Sequence, residues 1–296
     1  MTDTTVPPGA PDPLAIGPRT FAWGTRTFVM GILNVTPDSF SGDGFLTADR
    51  RPDGVVETAV AAARRMADEG ADILDIGGES TRPGHVRIDD DDEAGRVMPV
   101  IRALRAALPG MTLSIDTTKP AVAEVALDAG AHLINDVWGV ATDDAMLRVA
   151  ADRHSPIVLM HNRAEARYAD LMTEILADLE AAIERALAVG VPWASILIDP
   201  GFGFGKTPAH NLTLLRELAS LKTLGRPIVL GTSRKSTLGR VLDLPADQRV
   251  EATLATTALG IAAGADIVRV HDVRANVRAA RMTDAIVRGP WAADPG

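Results

Sequence analysis

Short apolar runs alternate with longer Ala-rich segments along almost the whole chain. The runs are Phe28–Leu33, Ile73–Ile76, Leu113–Ile115, Leu133–Ile134, Ile157–Met160, Ile196–Ile198, Ile228–Leu230 and Ile267–Val270. Each is too short for a helix and rich in Ile, Leu and Val, which predicts strands. Between them, Val55–Glu69, Ala94–Ala107, Pro120–Ala129, Leu171–Val189 and Glu251–Ala263 carry helical spacing. Such alternation implies a parallel sheet with helical crossovers. Eight units in about 270 residues predict an α/β chain folded as a (β/α)8 TIM barrel, with a doubly wound open sheet as the alternative. No linker-like break divides the chain, so residues 19–290 are expected to form one domain. The prolines of residues 1–18 predict a loose N-terminal tail.

A weak internal repeat supports this pattern. Gly70–Asp75, Gly130–Asn135 and Gly264–Arg269 share one plan. A glycine ends a helix, where a left-handed residue is easiest, and apolar strand residues follow before a polar group. Alternation along a strand puts Ile267, Arg269 and His271 on one face, and likewise Leu133 with Asn135. The same parity groups Asp75 with Ile73 and Gly77, which makes Asp75 a candidate to support a site from behind. A face carrying Arg269 and His271 cannot be an outer face packed under helices.

Polar chemistry falls at the C-terminal end of every predicted strand. Asn34 follows the first, Gly77–Gly84 the second, Asp116 the third and Asn135-Asp136 the fourth. Met160-His161 end the fifth, Asp199 the sixth, and Gly231–Ser236 follow the seventh; the eighth carries Arg269 and His271. A single Asp or Asn in such a place is usually a helix N-cap. Eight ends together mark the rim where barrel active sites are built.

Composition narrows the chemistry. The net charge of −9 argues against non-specific nucleic-acid binding, yet a local group of Arg, Lys and His can still receive a small anion. With no cysteine, disulfides, thiolate zinc sites, iron–sulfur clusters and a thiol nucleophile are all excluded. The start lacks the basic and apolar regions of a signal peptide, and the longest uncharged stretch, Ala252–Ala265, is too short to span a bilayer. A cytoplasmic protein without membrane partners is therefore expected. The run Gly201–Thr207 resembles a phosphate loop but has three residues, not four, between Gly201 and Gly205, which argues against nucleotide binding. The acidic run Asp89–Glu93 is expected to be a solvated helix start. His85, His132, His154 and His210 have no evident partners, and His161 is a weaker site candidate.

Seven segments, in order, resemble the signatures of dihydropteroate synthases: Met30–Ser41, Asp75–Gly84, Ser114–Thr117, Ile134–Val137, Asp199–Lys206, Ser233–Ser236 and Arg269–Val273. The resemblance covers the chain from about Phe28 to Ile286. It departs from many relatives in the first loop, Ser41–Phe45, and after His161, where the chain reads Asn162-Arg-Ala-Glu. The family resemblance implies a transferase of folate biosynthesis that joins a dihydropterin methylene to p-aminobenzoate and releases pyrophosphate. It also implies the residue roles. Asp199 accepts two parallel N–H bonds from the pterin's pyrimidine edge, the geometry that makes bidentate carboxylate pairs strong. Asn135 assists it, Asp116 addresses the other ring and Lys235 the oxo edge. Met160 and Phe204 lie against the ring faces, while Thr81 and Gly231 complete the pocket. Arg269, His271 and Arg82 receive the pyrophosphate beside Mg²⁺ at Asn34, an oxygen donor suited to a hard cation. Phe40, Thr81, Pro83 and Ser233 wall the p-aminobenzoate ring, whose carboxylate meets the helix starting near Ser236. Arg269, His271, Lys235 and Asp116 are the implied catalytic group. The resemblance further implies a homodimer built on outer helices late in the barrel, and competition by sulfonamides. Two alternatives remain at this stage: a methyltetrahydrofolate-binding methyltransferase domain serving a corrinoid partner, and a non-catalytic pterin-binding paralogue.

Overall fold

All eight predicted strands form, and each pairs in parallel with its neighbours. The structure is a computed structural model and describes residues 9–36, 52–79, 87–139 and 143–289. Two short strands, β1 (Leu14–Ile16) and β2 (Arg19–Phe21), come first. The main sheet follows: β3 (Phe28–Asn34), β4 (Ile73–Gly77), β5 (Thr112–Asp116), β6 (Leu133–Asp136), β7 (Ile157–Met160), β8 (Ile196–Asp199), β9 (Val229–Leu230) and β10 (Ile267–Val270). The helices are α1 (Pro52–Asp68), α2 (Asp90–Ala107), α3 (Pro120–Ala129), α4 (Ala145–Asp152) and α5 (Leu171–Ala188). They continue with α6 (Pro208–Arg216), α7 (Ser236–Leu242), α8 (Val250–Ala262) and α9 (Val273–Val287).

The sheet order is β8-β7-β6-β5-β4-β3-β10-β9, and a parallel bridge from Ile198 to Ile228 joins the two ends. Ile198 N donates to Pro227 O at 3.0 Å across the same seam. That closure makes the sheet a barrel and removes the open-sheet alternative. The expected helices form, and α4, α6 and α9 appear where the pattern was weak. In α9 the cause is visible: Asn276 and Thr283 stand in the buried stripe with Val273, Val277 and Ala280. Among the described residues no helix is long and apolar enough to cross a membrane.

Strand alternation sorts the barrel interior into layers. Met30, Ile73, Leu133, Val158, Leu197, Val229 and Ile267 form an apolar layer low in the barrel. Two residues further along their strands stand Ile32, Asp75, Asn135, Met160, Asp199, Gly231 and Arg269, four of the seven polar. The chain is thus built to be dry below and polar above.

The expected loose tail requires correction at its C-terminal end. Residues 14–21 form an antiparallel hairpin that plugs the lower mouth, and Ile16, Phe21 and Trp23 are buried. Phe28 receives Phe21 at 4.8 Å and Trp23 at 5.6 Å between ring centroids. Burying side chains of this size contributes roughly 1.5–3 kcal/mol each, enough to fix a short hairpin. Gly17 turns it with φ 58°, and a Cβ there would lie 2.4 Å from the His132 ring. Three-residue strands carry no period, so the prolines around them dominate the sequence pattern.

Two further expectations change. Asp89 does cap α2, accepting from Asp92 N at 2.8 Å, but Glu93 is 1% exposed and ion-paired to Lys119 at 2.7 Å. The acidic run is therefore not wholly solvated. Two histidines also have partners: His132 Nδ1 accepts from Leu113 N at 3.0 Å, and His210 completes a capping box with Thr207 at the start of α6. His85 lies outside the described residues.

Candidate active site

Register brings the rim residues side by side. Asn34 pairs with Gly77, Gly77 with Asp116, Asp116 with Asn135, and Met160 with Asp199. Gly77 keeps this corner open: a Cβ there would lie 3.6 Å from Asn34 Oδ1 and 3.8 Å from Asp116 Oδ2.

Arg269 spans two carboxylates. Its Nε donates to Asp75 Oδ2 and its Nη2 to Asp116 Oδ2, both at 2.6 Å. Asn135 Nδ2 donates to the same Asp75 oxygen at 2.9 Å. Asp75 and Asp116 are buried, so these are charge-assisted bonds in a dry setting. Burial lifts the Asp116 carboxyl to about 7, and Asp75, Glu93 and Asp136 push the same way against the Arg269 cation. Burial opposes the Arg269 charge, but Asp75 and Asp116 outweigh it and hold its pKa above the usual guanidinium value.

Across the mouth, Asp199 Oδ1 accepts from Gly201 N at 2.7 Å. Burial raises the Asp199 pKa, opposed chiefly by Lys235. Burial also lowers Lys235 to about 8, with Asp199 holding its charge in place. Lys235 Nζ donates to Phe202 O and sits 4.4 Å above the Phe204 ring. Gly231 lies between the cations: a Cβ there would be 3.7 Å from Arg269 Cβ and 3.9 Å from Lys235 Nζ. Ser233 Oγ contacts His271 Nδ1 at 3.0 Å and accepts from His271 N at 3.1 Å. Buried Ser233 thereby fixes the imidazole, whereas Ser236 is exposed at the start of α7.

Lys206 and His161 lie behind the rim. Lys206 Nζ donates to Gly201 O and Phe204 O, each at 3.1 Å, and to His161 Nδ1 at 2.9 Å. When Lys206 is charged it donates to Nδ1, so His161 carries its proton on Nε2, which faces Asp178 Oδ2 at 3.1 Å. This staple shapes the glycine-rich turn. Gly201 has φ 69°, and a Cβ there would fall 1.8 Å from His161 O. The turn places Phe204 and the Phe202 carbonyl against Lys235, a structural task unrelated to a phosphate loop. Burial and the Lys206 charge hold His161 down to about 4. Between pH 6.5 and 4 the unfolded chain then binds a proton that the folded chain does not. His161 should therefore make stability fall as pH drops through that window, by up to about 1.4 kcal/mol per pH unit. Urea unfolding of His161→Gln should show a shallower pH slope than the native chain; an unchanged slope would refute this assignment.

The pterin binding enzyme family profile matches residues 30–271. A dihydropteroate synthase of Clostridium beijerinckii is 49% identical over 276 residues, 93% of this chain and 100% of the relative. The chain belongs to the dihydropteroate synthase family. Among solved structures, a Xanthomonas albilineans dihydropteroate synthase with 4-aminobenzoic acid superposes with a TM-score of 0.86 at 42% identity, covering 95% of this chain and 100% of that one. The same enzyme in complex with 7,8-dihydropteroate gives a TM-score of 0.81 at 39% identity, covering 94% and 99%.

The family's implied residues divide in three. Arg269, Asp116 and Asn135 meet through shared hydrogen bonds, with Asn34 beside them; Asp199, Lys235, Phe204 and Met160 line the other side, with Gly231 between. Ser233 and His271 form one pair, and Ser236 stands further out. Phe40, Thr81, Arg82 and Pro83 lie outside the described residues. The sequence pattern underrated Asp75, which holds both Arg269 and Asn135, and gave no sign of Lys206 or Lys119.

Proposed function

We propose that this rim joins (7,8-dihydropterin-6-yl)methyl diphosphate to p-aminobenzoate, giving 7,8-dihydropteroate and pyrophosphate. The observation that carries the proposal is the pairing of two unlike halves across one mouth. One half is a carboxylate–lysine pair, Asp199 and Lys235, above an aromatic ring; the other is a guanidinium braced by two acids. A pterin edge offers adjacent N–H donors to Asp199 and an oxo group to Lys235, with Asn135 and Asp116 addressing the rest of the ring. Met160 and Phe204 cover its faces. Arg269 and His271 take the diphosphate, joined by Arg82. The C–O bond to the methylene breaks, its electron pair leaves with the diphosphate, and the electron-rich dihydropterin shares the positive charge. The p-aminobenzoate nitrogen then attacks the methylene and loses a proton. Phe40, Thr81, Pro83 and Ser233 flank that ring, with its carboxylate toward Ser236. Stabilising the growing charge on the leaving group is the main electrostatic task.

The residues at Asn34 fit magnesium. Asn34 Oδ1 is a hard oxygen donor, and Asp116 Oδ1 is buried without a hydrogen-bond partner among the described residues. Magnesium keeps several waters and takes few protein oxygens, so water and substrate oxygens would complete its shell. When bound there, Mg²⁺ supplies charge neutralisation to the diphosphate.

A coupled pyrophosphate-release assay tests the proposal. Release should require both substrates and yield dihydropteroate, with sulfonamides competing against p-aminobenzoate. Absence of product with intact methyltetrahydrofolate binding would replace it with the methyltransferase alternative. Silent turnover with intact pterin binding would indicate a non-catalytic paralogue. The same proposal includes a cytoplasmic homodimer. Leu259, Met282 and Ile286 are 62%, 63% and 69% exposed on the adjacent helices α8 and α9. Sedimentation at twice the 31.2 kDa chain mass would support that pairing, and fractionation would check the location.

A further inference from the structure

Glu93 and Lys119 form a buried cluster that the proposed chemistry does not use. Lys119 precedes α3, with its side chain 8% exposed. Its Nζ donates to Glu79 Oε2 at 2.5 Å, to Glu93 Oε2 at 2.7 Å and to Ile88 O at 2.8 Å. All three ammonium protons have acceptors, a geometry that a buried lysine needs. Glu79 follows β4, while Ile88 leads into α2. One ammonium group therefore holds both flanks of the segment between them. The N-terminal flank is secured again by Arg96, whose Nη1 donates to Gly78 O at 3.0 Å. Gly78 backs closely onto the same helix: a Cβ there would lie 2.7 Å from Val97 Cγ1 and 2.9 Å from Glu93 Cγ.

We propose that Lys119 is a positioning residue that ties Glu79 to Ile88 and so fixes both ends of the segment carrying Thr81, Arg82 and Pro83. The two flanks are thereby joined through a single buried ammonium group, a cross-link that resists their separation. Its effect on catalysis rests on the function proposed above, through the roles of those three residues; its effect on the chain does not. Glu93 is an unusual partner, since its Oε1 is buried without a hydrogen bond among the described residues. The two acids outweigh burial and keep Lys119 charged, its pKa raised above the ordinary lysine value.

Two readouts separate the clamp from the function. Exposed Arg87 adjoins Ile88, so trypsin reports directly on the C-terminal flank. Lys119→Met should speed cleavage after Arg87 about tenfold, while cleavage elsewhere and pterin affinity are unchanged. At saturating pterin diphosphate its kcat/KM for p-aminobenzoate should fall by about 10–100-fold, the scale of a displaced positioning group. Lys119→Arg should restore part of the Arg87 protection, which a general loss of stability would not predict. Should Lys119→Met fail to fold, Glu79→Gln keeps the Lys119–Glu93 pair and should show the faster Arg87 cut in milder form. Native-like protection of Arg87 in the folded variants would overturn the proposal. If the native enzyme shows no synthase activity, the function proposed above falls and the proteolysis result still decides the clamp.

Discussion

Asp199→Ala is expected to raise the KM for the dihydropterin diphosphate by about 10²–10³-fold, a loss of roughly 3–4 kcal/mol, with kcat much less affected. Asp199 is 6% exposed, and one oxygen already accepts the Gly201 N–H at 2.7 Å. A flat ligand edge with two N–H donors gains parallel charge-assisted bonds from such a group. Without it those donors are buried unmet, which is why sites built for hydrogen bonding reject poor partners so strongly. Asp199→Asn should fare little better, because its amide presents N–H against N–H on one side.

The same substitution should not reduce stability in proportion. The folded-state pKa of Asp199 is raised, mainly by burial. The native state therefore holds a proton more tightly than the unfolded chain, and stability falls as pH rises from the unfolded carboxyl pKa through the folded one. Wherever the buried carboxylate is ionised it is a burden that Ala removes. Loss of the Gly201 contact and of a counter-charge for Lys235 offsets part of that gain. Calorimetry of Asp199→Ala should show a melting temperature near the native one beside the collapse in pterin affinity. A native KM would remove Asp199 from the pterin site.

The contrast explains what the sequence could reveal. Every main strand was legible because the barrel strands are short apolar runs between helix-ending glycines and polar rim residues. Strand parity then placed Asp75 under Gly77 and Arg269 beside His271, which needs only alternation. Pairing was another matter. Arg269 meets Asp75 and Asp116 from 194 and 153 residues away, and facing the interior does not choose a partner. Glu93 was hidden among five consecutive acids, of which helical geometry turns one inward to a lysine 26 residues on. Lys206 was hidden inside a glycine-rich run that invites comparison with phosphate loops, yet its ammonium turns back to the run's own carbonyls. The hairpin plug was illegible because three-residue strands have no period to detect.

Arg269→Ala should act on turnover instead, lowering kcat by about 10²–10³-fold, the usual scale for removing one preorganised donor to a developing anion. The KM for the pterin should move far less, since the proposed site assigns the opposite edge to Asp199 and Lys235. This variant should also be destabilised, by about 3–5 kcal/mol if its acids stay charged. Asp75 and Asp116 each already have one oxygen without a partner among the described residues, and the substitution strips the arginine from the other. The chain has a partial escape. Asp116 already titrates near 7 with the cation present, so losing Arg269 lifts it further and lets it fold protonated. A raised folded pKa means stability lost as pH rises, so Arg269→Ala should be closest to the native protein at pH 6 and furthest from it at pH 8. Arg269→Lys should recover some of that stability but little turnover, because an ammonium cannot span two carboxylates as the planar guanidinium does. Equal kcat in native and Arg269→Ala proteins, together with parallel stability–pH curves, would mean that the guanidinium neither meets the leaving group nor neutralises the two acids it bridges.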